Sequence, residues 1–240
     1  MRLYGKNPVA ERIKADPGSI KKLYLQKRTE LSEVVREAKK AGIAFESVER
    51  SWFDKNCGGV HSQGVMAEVP EFEYAQLSQV ISDCLENVSV PVFLDGVTDP
   101  QNLGSIIRNL ACLGGFSLVL PEHRSAGVNE TVLRVASGGE NYIKVARTVN
   151  TATTLKRIKD KGVLTAGAVL EESRNVLEAD LILPMAVVIG SEGKGIRPGI
   201  LKNLDLKVNL PMPGAPLSYN AAVAASLLCY EINRRRWTNG

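Results

Sequence analysis

Apolar and polar positions along the chain fall into two regimes. Up to residue 70 helical and strand periods alternate: Pro8 to Ala15 reads as a helix, KKLYLQ as a strand, Leu31 to Lys40 as a helix stopped by Gly42, and IAFESV and GVMAEV as further strands. From residue 91 one grammar repeats, in which a short apolar run passes through a turn rich in glycine, asparagine or proline into a helix. VFLD (92–95) leads into GVTDPQNLG and the helix SIIRNLACL, VVIG (187–190) into SEGKG and a short helix, and VNLP (208–211) into MPGAPLSYN and a long alanine-rich helix. FSLVL, YIKVA and VLTAGAV supply extra strands, separated by helix-like stretches such as TATTLKRIKDKG. Apolar strands alternating with helices predict a mostly parallel sheet covered by helices, so the fold class is α/β with a small α/β unit in front. Ligands of such sheets bind beyond the carboxyl ends of the strands, which lets three polar turns build one pocket.

Segment 71–90, EFEYAQLSQVISDCLENVSV, holds four acidic residues and no lysine or arginine. It separates a block with 13 basic and 9 acidic residues from one with 17 and 13, so the expected domains are 1–70 and 91–240, joined by 71–90 as a connecting helix. A chain of 240 residues with 44% hydrophobic and 23% charged residues is globular and long enough for each part to bury a core. The longest apolar run, Leu181 to Ile189, contains a proline and is about half of what a bilayer requires. The start, MRLYGKNPVAER, lacks the apolar core of a secretory signal, so a cytoplasmic protein with no membrane partner is expected. Cys57, Cys84, Cys112 and Cys229 form no CxxC pair and His61 and His123 are the only histidines, which removes zinc and redox readings. A net charge of +4 moves the reading only slightly towards a polyanionic partner.

The chemistry concentrates in the three turns. In DGVTDPQNLGSIIRNL, Asn102 stands near the start of a helix whose Ile106, Leu110 and Leu113 share one face, while Arg108 lies about 200° round from Ile106 and points away from that core. A simple cap and a solvated charge are the plain alternatives for these two. GSEGKGI is not a phosphate loop, because GxxxxGK needs a longer spacing and a hydroxyl after the lysine. Its glycines instead admit a ligand close to backbone amides, with Glu192 as an inserted carboxylate, unless it is only a tight turn with an exposed glutamate. In LPMPGAPLSYN three prolines stiffen the backbone ahead of Ser218 and Asn220, at the mouth of a helix that either residue could cap.

In DPQNLGSIIR, IGSEGKGI and LPMPGAPLSYNAAVA, in that order and spacing, the sequence resembles the SpoU (TrmH) family of RNA ribose 2′-O-methyltransferases of the SPOUT class. YGKNPVAERI, KKLYL and HSQGVMAEV resemble the L30e-like substrate-binding domain of its ribosomal-RNA branch, so the likeness covers nearly the whole chain. Two departures stand out: the family's HQG reads His61, Ser62, Gln63, Gly64, and Tyr219 occupies a position where relatives commonly have leucine. The resemblance implies a deep carboxyl-terminal trefoil knot, a homodimer joined through the knotted domain, and S-adenosylmethionine as methyl donor. It places the cofactor around Gly190, Leu210, Met212 and Tyr219, and the catalytic set at Asn102, Arg108, Glu192, Ser218 and Asn220.

The family's proposal for Arg108 is a general base. A guanidinium stays protonated above pH 12, however, and an equal role is a two-toothed grip on the phosphate beside the target ribose. The activity implied is 2′-O-methylation of structured RNA, with 23S-type ribosomal RNA favoured over transfer RNA because of the front domain. A transfer-RNA substrate, or a non-catalytic RNA-binding or ribosome-assembly factor on the same fold, are the alternatives. His123, in PEHRSAG, reads as a loop residue near RNA together with Arg124 rather than as a base, and the terminal RRRW as a solvated helix end.

Overall fold

The computed structural model describes residues 1–215 and 217–239. Its front domain has four strands, β1 (Arg2–Tyr4), β2 (Lys22–Gln26), β3 (Glu46–Val48) and β4 (Val65–Glu68), in the order β1-β4-β2-β3. β4 is antiparallel to both neighbours and β3 runs parallel to β2. Of the helices α1 (Lys6–Ala15), α2 (Ser32–Lys40) and α3 (Arg50–Asn56), the first two bury Val9, Ile13, Val34 and Ala38 against Leu23, Leu25, Val65 and Ala67 of the sheet. The strand expected across IAFESV shrinks to its last three residues because its first belongs to the end of α2. Gly42 adopts φ +69, and the N–H groups of Gly42 and Ile43 reach back to the carbonyls of Lys39 and Ala38, a Schellman closure.

The second domain carries seven parallel strands: β5 (Val90–Asp95), β6 (Phe116–Pro121), β7 (Val145–Thr148), β8 (Leu164–Ala168), β9 (Arg174–Asn175), β10 (Met185–Gly190) and β11 (Leu206–Asn209). Their order is β7-β6-β5-β10-β8-β11-β9, with every ladder parallel. Helices α4 (Leu77–Leu85), α5 (Pro100–Leu113), α6 (Glu130–Ala136), α7 (Thr151–Lys159), α8 (Pro198–Leu201) and α9 (Ala221–Asn239) cover both faces. The two-residue period of the strands divides the core. Val92, Leu94, Val187 and Ile189 meet Ile106, Leu110 and Leu228 of α5 and α9, while Phe93, Val119 and Val188 meet Cys84, Leu155 and Ile200 of α4, α7 and α8. All six residues of β5 are buried, which is why that segment is apolar throughout until its final aspartate. The expected strand YIKVA begins only at Val145, since a 3-10 turn at Gly139–Asn141 holds the chain before it.

The domains touch where α6 and that turn meet the front domain. Leu133 of α6 joins the front core, the Arg2 N–H donates to Glu130 at 2.7 Å, and Arg12 pairs with the buried Glu140 at 3.4 Å. Among the described residues no helix is long and apolar enough to cross a membrane. β5 and β10 are adjacent in the parallel sheet and β11 lies one strand beyond, across β8, so the turns after β5, β10 and β11 emerge along the same edge.

Candidate active site

Each turn is shaped by a local device that frees a side chain for the junction. After β5, Asp99 caps α5 by accepting from the Gln101 N–H at 2.9 Å, with Pro100 at the first helical position. The helix therefore starts at Pro100 rather than at Ser105, and the capping role open to Asn102 is already filled. After β10, the chain folds back on itself through paired Ser191 and Gly195 backbone groups (2.8 and 3.3 Å). A methyl group at Gly190 would stand 2.2 Å from the Gly195 carbonyl carbon, so only glycine fits there. After β11, Asn220 caps α9 with its Oδ1, which accepts from the Ala222 N–H at 2.8 Å.

The amide of Asn220 faces the other way. Its Nδ2 donates to Asn102 Oδ1 at 2.8 Å and to Glu192 Oε1, and Asn102 Nδ2 donates to the same Glu192 oxygen at 2.9 Å. The Ala221 N–H reaches that oxygen at 3.3 Å, which sets the carboxylate at the positive end of the nineteen-residue α9. Three side chains from three turns, up to 118 positions apart in sequence, thus form one hydrogen-bonded cluster. Ser218 is exposed and lines the adjoining cleft. Arg108 is exposed and has no hydrogen-bond or ion-pair partner among the described residues. It lies about 9 Å further along α5 than Asn102, so it is not a member of the cluster by contact.

Beside the cluster is a cleft of about 600 Å³. Gly190, Leu210, Met212 and Tyr219 all line it, together with Glu192 and Ser218. The Tyr219 hydroxyl donates to the Pro211 carbonyl at 3.4 Å, tying the third turn to its own start. His61 lies elsewhere, in a front-domain cleft with Lys6 and Arg50. In the HSQG stretch, Gln63 takes φ +54 and accepts the Lys6 N–H at 3.0 Å.

One residue beside this site carried no mark in the sequence analysis. Asp95, 1% exposed at the end of β5, accepts from Arg197 N at 2.7 Å and from Arg197 Nε at 2.6 Å, bolting the second turn to the first. Its signal was present: a carboxylate closing a wholly buried apolar strand requires a partner.

The SpoU rRNA Methylase family profile matches residues 89–230, and the profile described as RNA 2′-O ribose methyltransferase substrate binding matches residues 2–75. A Bacillus subtilis (strain 168) protein, putative TrmH family tRNA/rRNA methyltransferase YacO, is 38% identical over 237 residues, covering 97% of this chain and 94% of its own. The SpoU methyltransferase AviRb of Streptomyces viridochromogenes, solved in complex with AdoMet, superposes with a TM-score of 0.82 at 20% identity, covering 99% of this chain and 91% of its own. The A. aeolicus TrmH/SpoU tRNA modifying enzyme is 26% identical with a TM-score of 0.57, and covers 68% of this chain and 86% of its own.

Proposed function

This chain belongs to the SpoU (TrmH) family of RNA methyltransferases, and from that membership we propose that it transfers a methyl group from S-adenosylmethionine to a ribose 2′-hydroxyl of ribosomal RNA. The observation that carries the reading is the Asn102–Glu192–Asn220 cluster at the rim of the 600 Å³ cleft. The lining suits an adenosyl amino acid. Ile189, Leu210 and Met212 offer apolar walls, and Gly190, where a methyl would strike the backbone of Gly195 and Ile196, lets the second turn close tightly beside them. When bound, S-adenosylmethionine supplies a methyl group already activated by a positively charged sulfur.

The protein's task is then placement. Holding oxygen, methyl carbon and sulfur in line is worth roughly 7 to 11 kcal/mol. Asn102 and Asn220, locked by Glu192, orient the ribose, and Ser218 lies on the same rim. Arg108, unpaired and exposed, grips the phosphate next to the target ribose and stabilises the developing oxyanion without accepting a proton. Ribosomal RNA is favoured over transfer RNA because the substrate-binding profile covers residues 2–75, whereas the A. aeolicus tRNA modifying enzyme aligns with only 68% of this chain. The same reading divides the chain into a substrate-binding domain at 1–70, a connector at 71–90 and a methyltransferase domain at 91–240, and takes the carboxyl-terminal segment to be knotted.

A homodimer belongs to this proposal. Val223, Leu227, Tyr230 and Trp237 are 40–59% exposed and fall, together with the exposed Arg234, within an arc of about 80° on α9, opposite the buried Ala225, Leu228 and Ile232. A helix apolar on two opposite faces needs two partners, and this chain covers one.

Incubation with labelled S-adenosylmethionine and separate ribosomal-RNA and transfer-RNA pools, followed by digestion to nucleosides, tests the reading. The expected product is a 2′-O-methylribonucleoside from ribosomal RNA. Label on a base overturns the reaction type, and label from transfer RNA alone overturns the substrate.

A further inference from the structure

On the other side of the Ser191–Arg197 turn is a second cleft, of about 590 Å³, that methyl transfer leaves unused. It lies where β6 and β7 end and α7 begins. Its lining includes His123, Arg124, Asn150, Thr151 and Arg197, and no acidic side chain is among the described residues that line it. Arg197 is held in place by Asp95 through its N–H and Nε, which leaves its two terminal nitrogens without partners among the described residues.

Thr151 is the decisive residue. It is 3% exposed, and its buried Oγ1 has no hydrogen-bond partner among the described residues. A buried hydroxyl left unpaired is costly, and native proteins keep few of them unless something outside the chain completes them. The nine-residue α7 starts at Thr151, with Asn150 capping the Thr153 N–H at 3.1 Å. The N–H groups of Thr151 and Ala152 consequently have no acceptor among the described residues. Fixed amide donors at a helix start, an unpaired hydroxyl and unpaired guanidinium nitrogens together match a tetrahedral oxyanion.

We propose that this cleft holds a backbone phosphate of the RNA whose ribose is presented at the Asn102–Glu192–Asn220 cluster, an inference that rests on the function proposed above. Ile196 lines the first cleft and Arg197 the second, so the one turn stands between them. An RNA strand with a ribose on one side of that turn passes its backbone to the other.

The test is filter binding of purified ribosomal RNA across a salt series, with Thr151→Val and Arg124→Gln. Thr151→Val removes the orphan hydroxyl at constant shape, so its melting temperature and S-adenosylmethionine affinity match or exceed the wild type while RNA affinity falls about 5-fold or more. Arg124→Gln weakens RNA binding and makes the slope of log K against log salt shallower by about 1. Unchanged affinity and slope in both variants, with wild-type methylation intact, overturn the phosphate site and leave the proposed function standing. Inorganic phosphate that raises the wild-type melting temperature but not that of Arg124→Gln, with unchanged RNA slopes, makes this a site for a free anion and overturns the RNA assignment. Wild-type protein that binds RNA without salt dependence and yields no methylated ribose overturns both.

Discussion

Gly190→Ala gives the sharpest perturbation of the cleft proposed to hold S-adenosylmethionine. The added methyl would meet Gly195 C at 2.2 Å, Ile196 N at 2.4 Å and Gly195 O at 2.5 Å, all backbone atoms, whereas ordinary contacts begin at 3.4 Å. No side chain can swing aside, so the Ser191–Ile196 turn has to retreat by about 1 Å and carry Glu192 with it. Overpacking of this kind costs about 1–3 kcal/mol, and for a chain of this size each kcal/mol lowers the melting temperature by about 2–4 °C. A shift of about 1 Å at positioning groups costs on the order of 100-fold in rate. Calorimetric titration with S-adenosylmethionine, a thermal melt and steady-state methylation read the three quantities, with Gly193→Ala as the thermal control. That control sits in the same turn, but nothing lies within 4 Å of its new methyl, so its melting temperature stays at the wild-type value. Equal melting temperatures for the two variants, or undiminished cofactor affinity in Gly190→Ala, would refute the close-approach reasoning.

Three further outcomes concern other parts of the molecule. Arg234 and then Arg235, at 2.7–2.8 Å, hold the Glu231 carboxyl down at about 2 from an ordinary 4.5. The depressed folded value means stability that is complete above pH 4.5 and lost as pH falls towards 2. The linkage ceiling of about 3 kcal/mol shrinks to about 1–2 because Arg234 is half exposed, and melts of Glu231→Gln should lack that part of the acid dependence. Of the four thiols Cys112 alone is exposed, and burial pushes Cys84 up to about 11 and Cys229 higher still, so an aromatic disulfide reagent should titrate one thiol in the native protein and four after unfolding. Leu227→Glu, on the uncovered face of α9, should convert a particle of twice 26.0 kDa into one of 26.0 kDa by light scattering, and a wild-type protein already at 26.0 kDa counts against the dimer.

The sheet was readable because strands buried on both faces leave unbroken apolar runs, as in VFLD and VVIG, and because each run ends on residues that turn the chain. Shorter elements left no such trace. α3 has seven residues, RSWFDKN, of which only Phe53 is buried, so no apolar repeat marks it, and β9 is the pair Arg174–Asn175, placed only by its register with β11. The early start of α5 was written in the Asp99–Pro100 pair, a cap followed by a first-turn proline, but the apolar spacing drew attention to Ser105 onwards. At the site, the family resemblance of the three turns pointed to Asn102, Glu192 and Asn220 without showing that they touch, since parallel-sheet order decides which turns come together. Asn220 resolves two readings at once: its oxygen caps α9 while its nitrogen serves the cluster. Asp95 and Thr151 went unnoticed because their meaning lies in burial and in who their partners are.

A double-mutant cycle on kcat/KM for ribosomal RNA, with Asn102→Ala, Asn220→Ala and both together at saturating S-adenosylmethionine, tests whether the three turns act as one unit. Hydrogen bonding of both amides to the same Glu192 oxygen predicts a coupling of about 1 kcal/mol or more, the double variant being little worse than the poorer single one. Losses that add to within about 0.3–0.5 kcal/mol would contradict it.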